Sequence, residues 1–186
     1  MAERLALLAQ GNEIVYGERD GFAPVGEGVG NVIDGNTATK YLNMSGRGSG
    51  FTLELPQAQA LDSLALTTRT NDDIWQWDPK TWEVWGSNFN NVWTSTGWTR
   101  LGAGDTGLGN GRGASNTVSF DNTTAYKYYK VVFPTVKGGM PGLEAMQIAE
   151  AQLLRSAVPV YQTPLTGEHV AWTDVTRNAP ADAAWK

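Results

Sequence analysis

The six residues from Asp34 to Thr39, DGNTAT, concentrate side chains that present hard oxygen atoms. The carboxylate of Asp34, the amide of Asn36 and the hydroxyl of Thr39 are the kinds of ligand that Ca²⁺ prefers, and Gly35 permits a sharp bend that frees backbone carbonyls. The spacing is not that of an EF-hand, because the required glycine and glutamate are missing. An Asx turn, in which Asp34 accepts hydrogen bonds from amides just downstream, is the alternative. The sequence of the loop alone is compatible with a calcium site and with an Asx turn.

A second loop, TNDDIWQWDP at 70–79, sets two tryptophans among polar side chains. Indole faces stack on the apolar faces of sugar rings, while neighbouring amides and carboxylates hydrogen bond the hydroxyls. The residues predicted to bind a ligand are Trp75, Trp77, Asn71 and Asp73, joined by Tyr41 and Arg47 from the preceding loop. Contact with another protein would use the same tryptophans, since tryptophan is favoured at interface hot spots. A glycan and a protein therefore both remain candidate ligands.

Residues suited to covalent or acid–base catalysis are scarce. The chain has no cysteine, a single histidine (His169) and no G-x-S-x-G elbow, which excludes disulfides and thiolate chemistry and disfavours a serine triad. The glycine-rich stretches at 46–50 and 107–113 lack the GK[ST] of a phosphate loop. The adjacent acids Asp72 and Asp73 could assist glycoside hydrolysis, but neighbouring loop acids are usually only solvated. The sequence therefore predicts a protein that is not an enzyme.

The charge balance of the 186-residue chain limits its partners. A net charge of −5 and an isoelectric point near 4.8 are unlike the basic footprint of a nucleic-acid-binding protein. The apolar stretch near the amino terminus, LALLA, is too short for a signal-peptide core or a membrane span. We expect no nucleic-acid partner, no membrane insertion and no signal peptide. The expected location is a virion or the extracellular space after release, or otherwise the cytoplasm.

The elements that must position these loops are predicted to be strands. Apolar and polar residues alternate along 51–55 and 81–85, and β-branched and aromatic residues dominate 117–120 and 125–133. In these segments Trp82, Val84, Tyr129, Val131 and Phe133 are expected to face the core. Residues 61–69 and 146–154 are also assigned to strands. Gly-, Asn- and Asp-rich turns separate the segments, which favours an all-β antiparallel sandwich or barrel over residues 1–155.

The last part of the sequence, 156–186, differs from the rest. It has scattered prolines, no sustained alternation and several large apolar side chains, among them Trp172 and Trp185. A free segment of this kind would expose an apolar surface that soluble monomers seldom tolerate. We expect an irregular, extended C-terminal arm that docks on its own sandwich or on a neighbouring subunit.

Several motifs, taken in order, resemble the coagulation factor 5/8 type C, or discoidin-like, family, which includes the family 32 carbohydrate-binding modules. They are IDG-x-x-x-T at 33–39, DP-x-x-W-x-x-x-GS at 78–87 and I-A-E at 148–150. The resemblance spans about residues 12–155 and departs from the family at Tyr41, where tryptophan is commoner. The terminal cysteines of animal members are also missing. It implies an eight-stranded jelly-roll sandwich of the galactose-binding-domain-like type, with ligand-binding loops at one end and no catalysis.

The resemblance also implies a structural calcium ion. Carried over by position, its ligands are Asp34, Asn36 and Thr39 of the IDG loop together with Glu150 of the last strand. We therefore predict a calcium-stabilised, non-catalytic binding protein that recognises glycans or a cell surface, with a virion as one setting for this role. The alternative is a purely structural protein of a viral particle or other large assembly, such as a phage decoration, tail or fibre-associated protein, that uses the fold for protein–protein contacts.

Overall fold

The chain folds into an antiparallel β-sandwich, and side chains along several of its strands alternate between buried and more exposed positions. The computed structural model describes residues 4–6, 13–18, 23–71, 74–90, 96–138 and 145–156. The strands are β1 (Arg4–Ala6), β2 (Ile14–Glu18), β3 (Tyr41–Asn43), β4 (Ser49–Gln59), β5 (Ser63–Thr67), β6 (Thr81–Ser87), β7 (Thr99–Asp105), β8 (Ser115–Ser119), β9 (Tyr126–Phe133), β10 (Met146–Ile148) and β11 (Glu150–Ser156). Two short 3₁₀ helices cover Val29–Ile33 and Trp75–Trp77. The predicted all-β sandwich is confirmed.

The strands form two main sheets and one small one. A four-stranded sheet has the order β1-β11-β5-β8, and a five-stranded sheet has the order β2-β4-β9-β6-β7. The pair β3–β10 forms a separate two-stranded ribbon. The inward side chains of the two main sheets meet in one hydrophobic core. All five side chains that were assigned to the core on β6 and β9 are buried, as the period-2 pattern predicts.

Strand β7 was missed in the sequence because it contains Gly102 and Gly104, which suggest a turn. Both glycines lie against the indole ring of Trp82 on the paired strand β6. A Cβ atom at Gly102 would approach the Cβ of Phe120 to 2.5 Å and the Trp82 ring to 3.1 Å. The glycines therefore make room for a large core side chain at the edge of the sheet, where glycine often marks such close approaches.

The ends of several strands bring four loops to one end of the sandwich. In the four-stranded sheet the end of β5, at Thr67, pairs with the first residues of both β8 and β11. In the five-stranded sheet the first residue of β4 pairs with the end of β9, and the first residue of β6 pairs with the end of β7. The segments 44–48, 68–80, 106–114 and 134–138 connect these strand ends. The predicted tryptophan loop thus has neighbours from three other parts of the chain.

Some predictions fall beyond the described residues. The C-terminal arm, assigned to 156–186, lies outside them except for Ser156, which ends β11 and pairs with Arg4 of β1. The proposed division at residue 155 stays a prediction. Within the described ranges, no helix has the length and apolarity needed to cross a membrane.

A glycine on β4 provides a test of this architecture. A Cβ atom at Gly50 would lie 2.0 Å from the carbonyl oxygen of Val131 on the paired strand β9. We expect Gly50→Ala to lower the free energy of unfolding by about 1–3 kcal/mol, because backbone must move to relieve the overlap. Urea denaturation measures the change. Gly28→Ala is the matched control, since no atom lies within 4 Å of its added Cβ; equal losses in the two variants would contradict the close β4–β9 approach.

Candidate functional site

Two carboxylates that are far apart in sequence converge at the DGNTAT loop. The backbone N–H of Asn36 lies 2.8 Å from Oδ1 of Asp34 and 2.8 Å from Oε1 of Glu150. Glu150 opens β11 and is buried, whereas Asp34 is exposed at the end of the first 3₁₀ helix. The core packing of β11 therefore presents Glu150 to the loop from below.

The loop also gathers neutral oxygen atoms. The hydroxyl of Thr39 is 2.7 Å from Oδ2 of Asp34 and 2.7 Å from the carbonyl oxygen of Asn36. The amide oxygen of Asn36 accepts a hydrogen bond from the N–H of Ala38 at 3.1 Å. Gly35, at φ +73°, supplies the left-handed conformation on which this tight bend depends. The Asx turn between Asp34 and Asn36 is present, but it does not account for the arrival of Glu150.

Glu150 is held in surroundings that oppose its ionisation. The pKa of Glu150 is raised to about 7, chiefly by burial and then by the contact with Asp34, while hydrogen bonds from the backbone N–H groups of Asn36 and Gly35 act in the opposite direction. Beneath the pair lies a cavity of about 310 Å³ with largely apolar walls. Its lining includes Ile33, Leu53, Leu55, Leu61 and Leu153. This apolar floor explains the desolvation of the carboxylate.

The donor set suits a hard cation. Among the described residues, neither Asp34 nor Glu150 forms an ion pair with a lysine or arginine, and no group of three or more His, Cys, Asp or Glu side chains is present. The available ligands are thus two carboxylates with hydroxyl, amide and carbonyl oxygens, all of the type that Ca²⁺ takes. They lack the nitrogen and sulfur atoms that favour zinc.

The tryptophan loop is folded into a short 3₁₀ helix with both indole side chains half-buried. The backbone of this loop accepts hydrogen bonds from two other parts of the chain. The carbonyl of Gln76 accepts the N–H of Gly138 at 2.8 Å, and the carbonyl of Ile74 accepts the side-chain amide of Gln147. The loop is therefore held against β10 and the segment 134–138.

A fully buried carboxylate, Asp78, anchors the end of this helix. Its Oδ2 lies 2.7 Å from Nη1 of Arg112 and 3.4 Å from Nζ of Lys137, and its Oδ1 lies 3.1 Å from Nε2 of Gln147. The carbonyl of Asp78 also accepts the N–H of Lys137 at 3.0 Å. One carboxylate thus joins the tryptophan loop to two neighbouring loops and to β10.

Trp75 lines a shallow pocket of about 360 Å³ at the loop end of the sandwich. Segment 106–114 contributes Thr106, Gly107, Leu108 and Asn110, and Lys80, Asp105 and Lys137 complete the lining. Gly107 adopts φ +65°, which the turn that follows β7 requires. We call this the Trp75 pocket.

Several polar groups of the Trp75 pocket have no hydrogen-bond or ion-pair partner among the described residues. The indole N–H of Trp75, the ammonium of Lys80, the carboxylate of Asp105 and the side-chain amide of Asn110 make no hydrogen bond or ion pair with the described part of the chain. Lys80, Asp105 and Asn110 are all exposed. An aromatic face with free donors and acceptors around it is the arrangement expected for a saccharide site.

The structure separates the residues that were predicted to bind the ligand. Trp75 lines the pocket but Trp77 does not. Asn71 and Arg47 are exposed on loops, and neither lines the pocket. Asp73 lies outside the described residues.

The prediction that Tyr41 binds a ligand is wrong. Its side chain has no exposed surface, and its hydroxyl accepts a hydrogen bond from Nδ2 of Asn43, which is also fully buried. Pairing of β3 with β10 places Tyr41 opposite Ile148. Tyr41 is therefore a core residue and cannot contact a ligand at the surface.

Sequence reasoning missed Lys80, Asp105, Asn110 and Lys137. Each stands alone at the start or end of a turn, and no local pattern relates one to another. The one available signal was the pair of loops at 78–80 and 105–110, both rich in turn-forming residues. Only the pairing of β6 with β7 brings these loops together.

Compared by sequence, the chain matches no protein-family model and no curated protein. Solved structures share its fold. The family 32 carbohydrate-binding module of Clostridium perfringens NanJ, in complex with galactose, is 18% identical with a TM-score of 0.61, over 81% of this chain and 98% of that one. A second C. perfringens module, CpGH89CBM32-5, was solved in complex with GalNAc-β-1,3-galactose. It is also 18% identical, with a TM-score of 0.60, over 78% of this chain and 97% of that one.

A further neighbour is a coagulation factor 5/8 type C domain from Bacteroides fragilis, at 13% identity and a TM-score of 0.63, over 83% of this chain and 98% of that one. These similarities confirm the fold that the motifs predicted. The chain thus has the discoidin-like fold of family 32 carbohydrate-binding modules over most of its length.

Asp78 provides a test of how the site is held. We expect Asp78→Asn to lower the free energy of unfolding by about 3–5 kcal/mol, because Arg112 and Lys137 would lose the buried carboxylate that neutralises them. Urea denaturation measures the loss. Asp105→Asn, at an exposed carboxylate of the same loop end, is the control and should change stability by less than about 0.5 kcal/mol. A loss for Asp78→Asn no larger than the control would contradict the anchoring role.

Proposed function

We propose that this chain, which has the fold of family 32 carbohydrate-binding modules, is a non-catalytic protein that binds glycans through the Trp75 pocket. The observation that carries the proposal is the set of polar groups around the half-buried indole of Trp75 that have no hydrogen-bond or ion-pair partner among the described residues. By contrast, the buried carboxylate of Asp78 at the same end of the sandwich is engaged by Arg112, Lys137 and Gln147. Polar groups left free in a pocket are available to sugar hydroxyls.

The fold neighbours support a glycan as the class of ligand. Two of them were solved with galactose or with GalNAc-β-1,3-galactose bound. Their identity to this chain is too low to carry over individual residues. The nature of the sugar must therefore be sought in the pocket of this chain itself.

We expect Trp75→Ala to abolish binding to a glycan array and to leave the fold intact, because truncation removes the stacking surface from a half-buried position. Trp77→Ala is the matched control, since Trp77 belongs to the same 3₁₀ helix but does not line the pocket. Circular dichroism checks the fold of both variants. Loss of binding in Trp77→Ala with retention in Trp75→Ala would place the site elsewhere on the loop.

A structural calcium ion at the DGNTAT loop is part of the same proposal. Asp34, Asn36, Thr39 and Glu150 would hold it, as the resemblance implies. Support comes from the convergence of two carboxylates that no described lysine or arginine neutralises. Bound calcium supplies a positive charge that relieves the repulsion between the two carboxylates and thereby stabilises the fold.

Calcium should raise the melting temperature of the protein by several degrees relative to excess chelator. An ion at a hundred times its Kd stabilises by about 2.7 kcal/mol, and each kcal/mol shifts the melting temperature of a chain of this size by about 2–4 °C. Differential scanning calorimetry measures the shift. Asp34→Asn should lose it and Asp105→Asn should keep it. An equal calcium response in all three proteins would show that the ion acts elsewhere.

The alternative function is a purely structural role in a viral particle or other large assembly, in which the fold serves protein–protein contacts. The C-terminal arm that could add such contacts lies outside the described residues. No observation on the described residues favours it over glycan binding. Deleting 157–186 and measuring the mass in solution separates the two. A change in assembly state would favour subunit contacts through the arm, whereas an unchanged mass would count against them.

A further inference from the structure

We propose that Asn110 is a site of spontaneous deamidation, which gives the Trp75 pocket an additional carboxylate as the protein ages. Asn110 lies between β7 and β8 and contributes to the lining of the pocket. The modification itself is a property of the chain, whereas its effect on glycan binding rests on the proposed function.

The reaction needs only the asparagine, the next backbone nitrogen and water. The backbone nitrogen of Gly111 gives its proton to solvent and attacks Cγ of Asn110. The new N–C bond closes a succinimide ring, and the side-chain nitrogen takes up a proton and leaves as ammonia. Water then opens the ring at either carbonyl to an aspartyl or an isoaspartyl residue. A following glycine hinders the attacking nitrogen least, because it has no Cβ atom.

The surroundings of this dipeptide leave both reacting groups accessible. Asn110 and Gly111 form the only Asn–Gly pair in the sequence, and both residues are exposed. Among the described residues, neither the side-chain amide of Asn110 nor the backbone N–H of Gly111 has a hydrogen-bond partner. A Cβ atom added at Gly111 would meet no atom within 4 Å. Nothing in the described structure therefore obstructs the attack on Cγ.

Two asparagines on the same side of the chain are held in place instead. The side-chain amide of Asn116 donates to the carbonyl of Thr106 at 2.7 Å, and that of Asn122 donates to the carbonyl of Leu61 at 2.9 Å. A threonine follows each of these asparagines, and its branched Cβ atom crowds the backbone nitrogen. Asn116 and Asn122 thus serve as internal comparisons.

The pair Asp34–Gly35 could close the same ring with loss of water, but the structure engages both of its reacting groups. The carboxylate of Asp34 accepts hydrogen bonds from the N–H of Asn36 at 2.8 Å and from the hydroxyl of Thr39 at 2.7 Å. The N–H of Gly35 is hydrogen-bonded to Glu150. A glycine in the next position is therefore not sufficient, and the free groups of the 110–111 pair distinguish it.

Deamidation changes what the pocket offers to a ligand. The amide of Asn110 can donate and accept hydrogen bonds, whereas a carboxylate only accepts them. The isoaspartyl form also lengthens the backbone by a methylene group between two carbonyls that are held from outside the loop. Lys137 donates to the carbonyl of Gly109 at 2.6 Å, and the hydroxyl of Thr68 donates to that of Gly111 at 3.4 Å. We expect glycan binding to weaken about two- to tenfold, as the loss of one hydrogen bond allows.

The test follows the full chain during incubation in mildly alkaline buffer. Trypsin cleaves after lysine and arginine, so peptide 101–112 contains Asn110 as its only asparagine, and peptide 113–127 contains Asn116 and Asn122. Mass spectrometry against an unincubated sample should show deamidation of 101–112 well before that of 113–127. The product should include isoaspartate, because direct hydrolysis of the amide yields aspartate alone.

Variants assign the reaction and its effect. Gly111→Ala should deamidate about tenfold more slowly, because the added methyl group hinders the attacking nitrogen. The structure has room for this methyl group, and Gly111 does not line the pocket, so the fresh variant should bind a glycan array as the unaltered chain does. Asn110→Asp should reproduce the weaker array binding of the aged protein.

The outcomes separate the modification from the proposed function. Equal stability of peptides 101–112 and 113–127, or equal rates in Gly111→Ala and the unaltered chain, would overturn the deamidation site. Deamidation that leaves array binding unchanged would overturn its effect on the pocket. Absence of array binding even in fresh protein would overturn the proposed function and that effect, whereas the peptide masses would still decide the deamidation.

Discussion

The arrangement of the loop end depends on one buried carboxylate. Asp78 has no exposed surface, and an isolated carboxylate in such a place would be too costly to retain. Arg112, Lys137 and Gln147 compensate it, and each arrives from a different part of the chain. The need to satisfy one charge therefore brings three remote segments together and fixes where the tryptophan helix ends.

The same constraint links the two candidate sites. Gln147, which donates to Asp78, also accepts a hydrogen bond from the ammonium of Lys40, directly after the DGNTAT loop. From the other side, the carbonyl of Thr37 in that loop accepts the N–H of Thr70 at 3.0 Å, where the tryptophan loop begins. The loop that gathers the carboxylates and the loop that carries Trp75 thus share a continuous hydrogen-bonded scaffold.

The two buried carboxylates of this end differ in how they are balanced. Asp78 is neutralised by the protein's own cations. Among the described residues, Glu150 meets only backbone N–H groups and another carboxylate, and its pKa is raised to about 7 by burial and by Asp34. Desolvation without a described counter-charge distinguishes Glu150 from the structural ion pairs of Asp78, and it is the feature that supports the proposed calcium ion. Sequence composition does not reveal this contrast, because both residues are acids beside strands.

The alternation of apolar and polar residues was enough to predict several strands and the side chains that they bury, such as Trp82 on β6 and Val131 on β9. That pattern is local, since neighbouring side chains on a strand point to opposite faces. The motifs also pointed correctly to the discoidin-like fold and, through it, to the meeting of Asp34 with Glu150. Three other features emerge only from the three-dimensional fold: Tyr41 is buried, the glycine-rich β7 is a strand, and Lys80 and Asn110 share a pocket with Trp75. These outcomes follow from which loops the paired strand ends bring together, and no residue spacing along the chain encodes that distance.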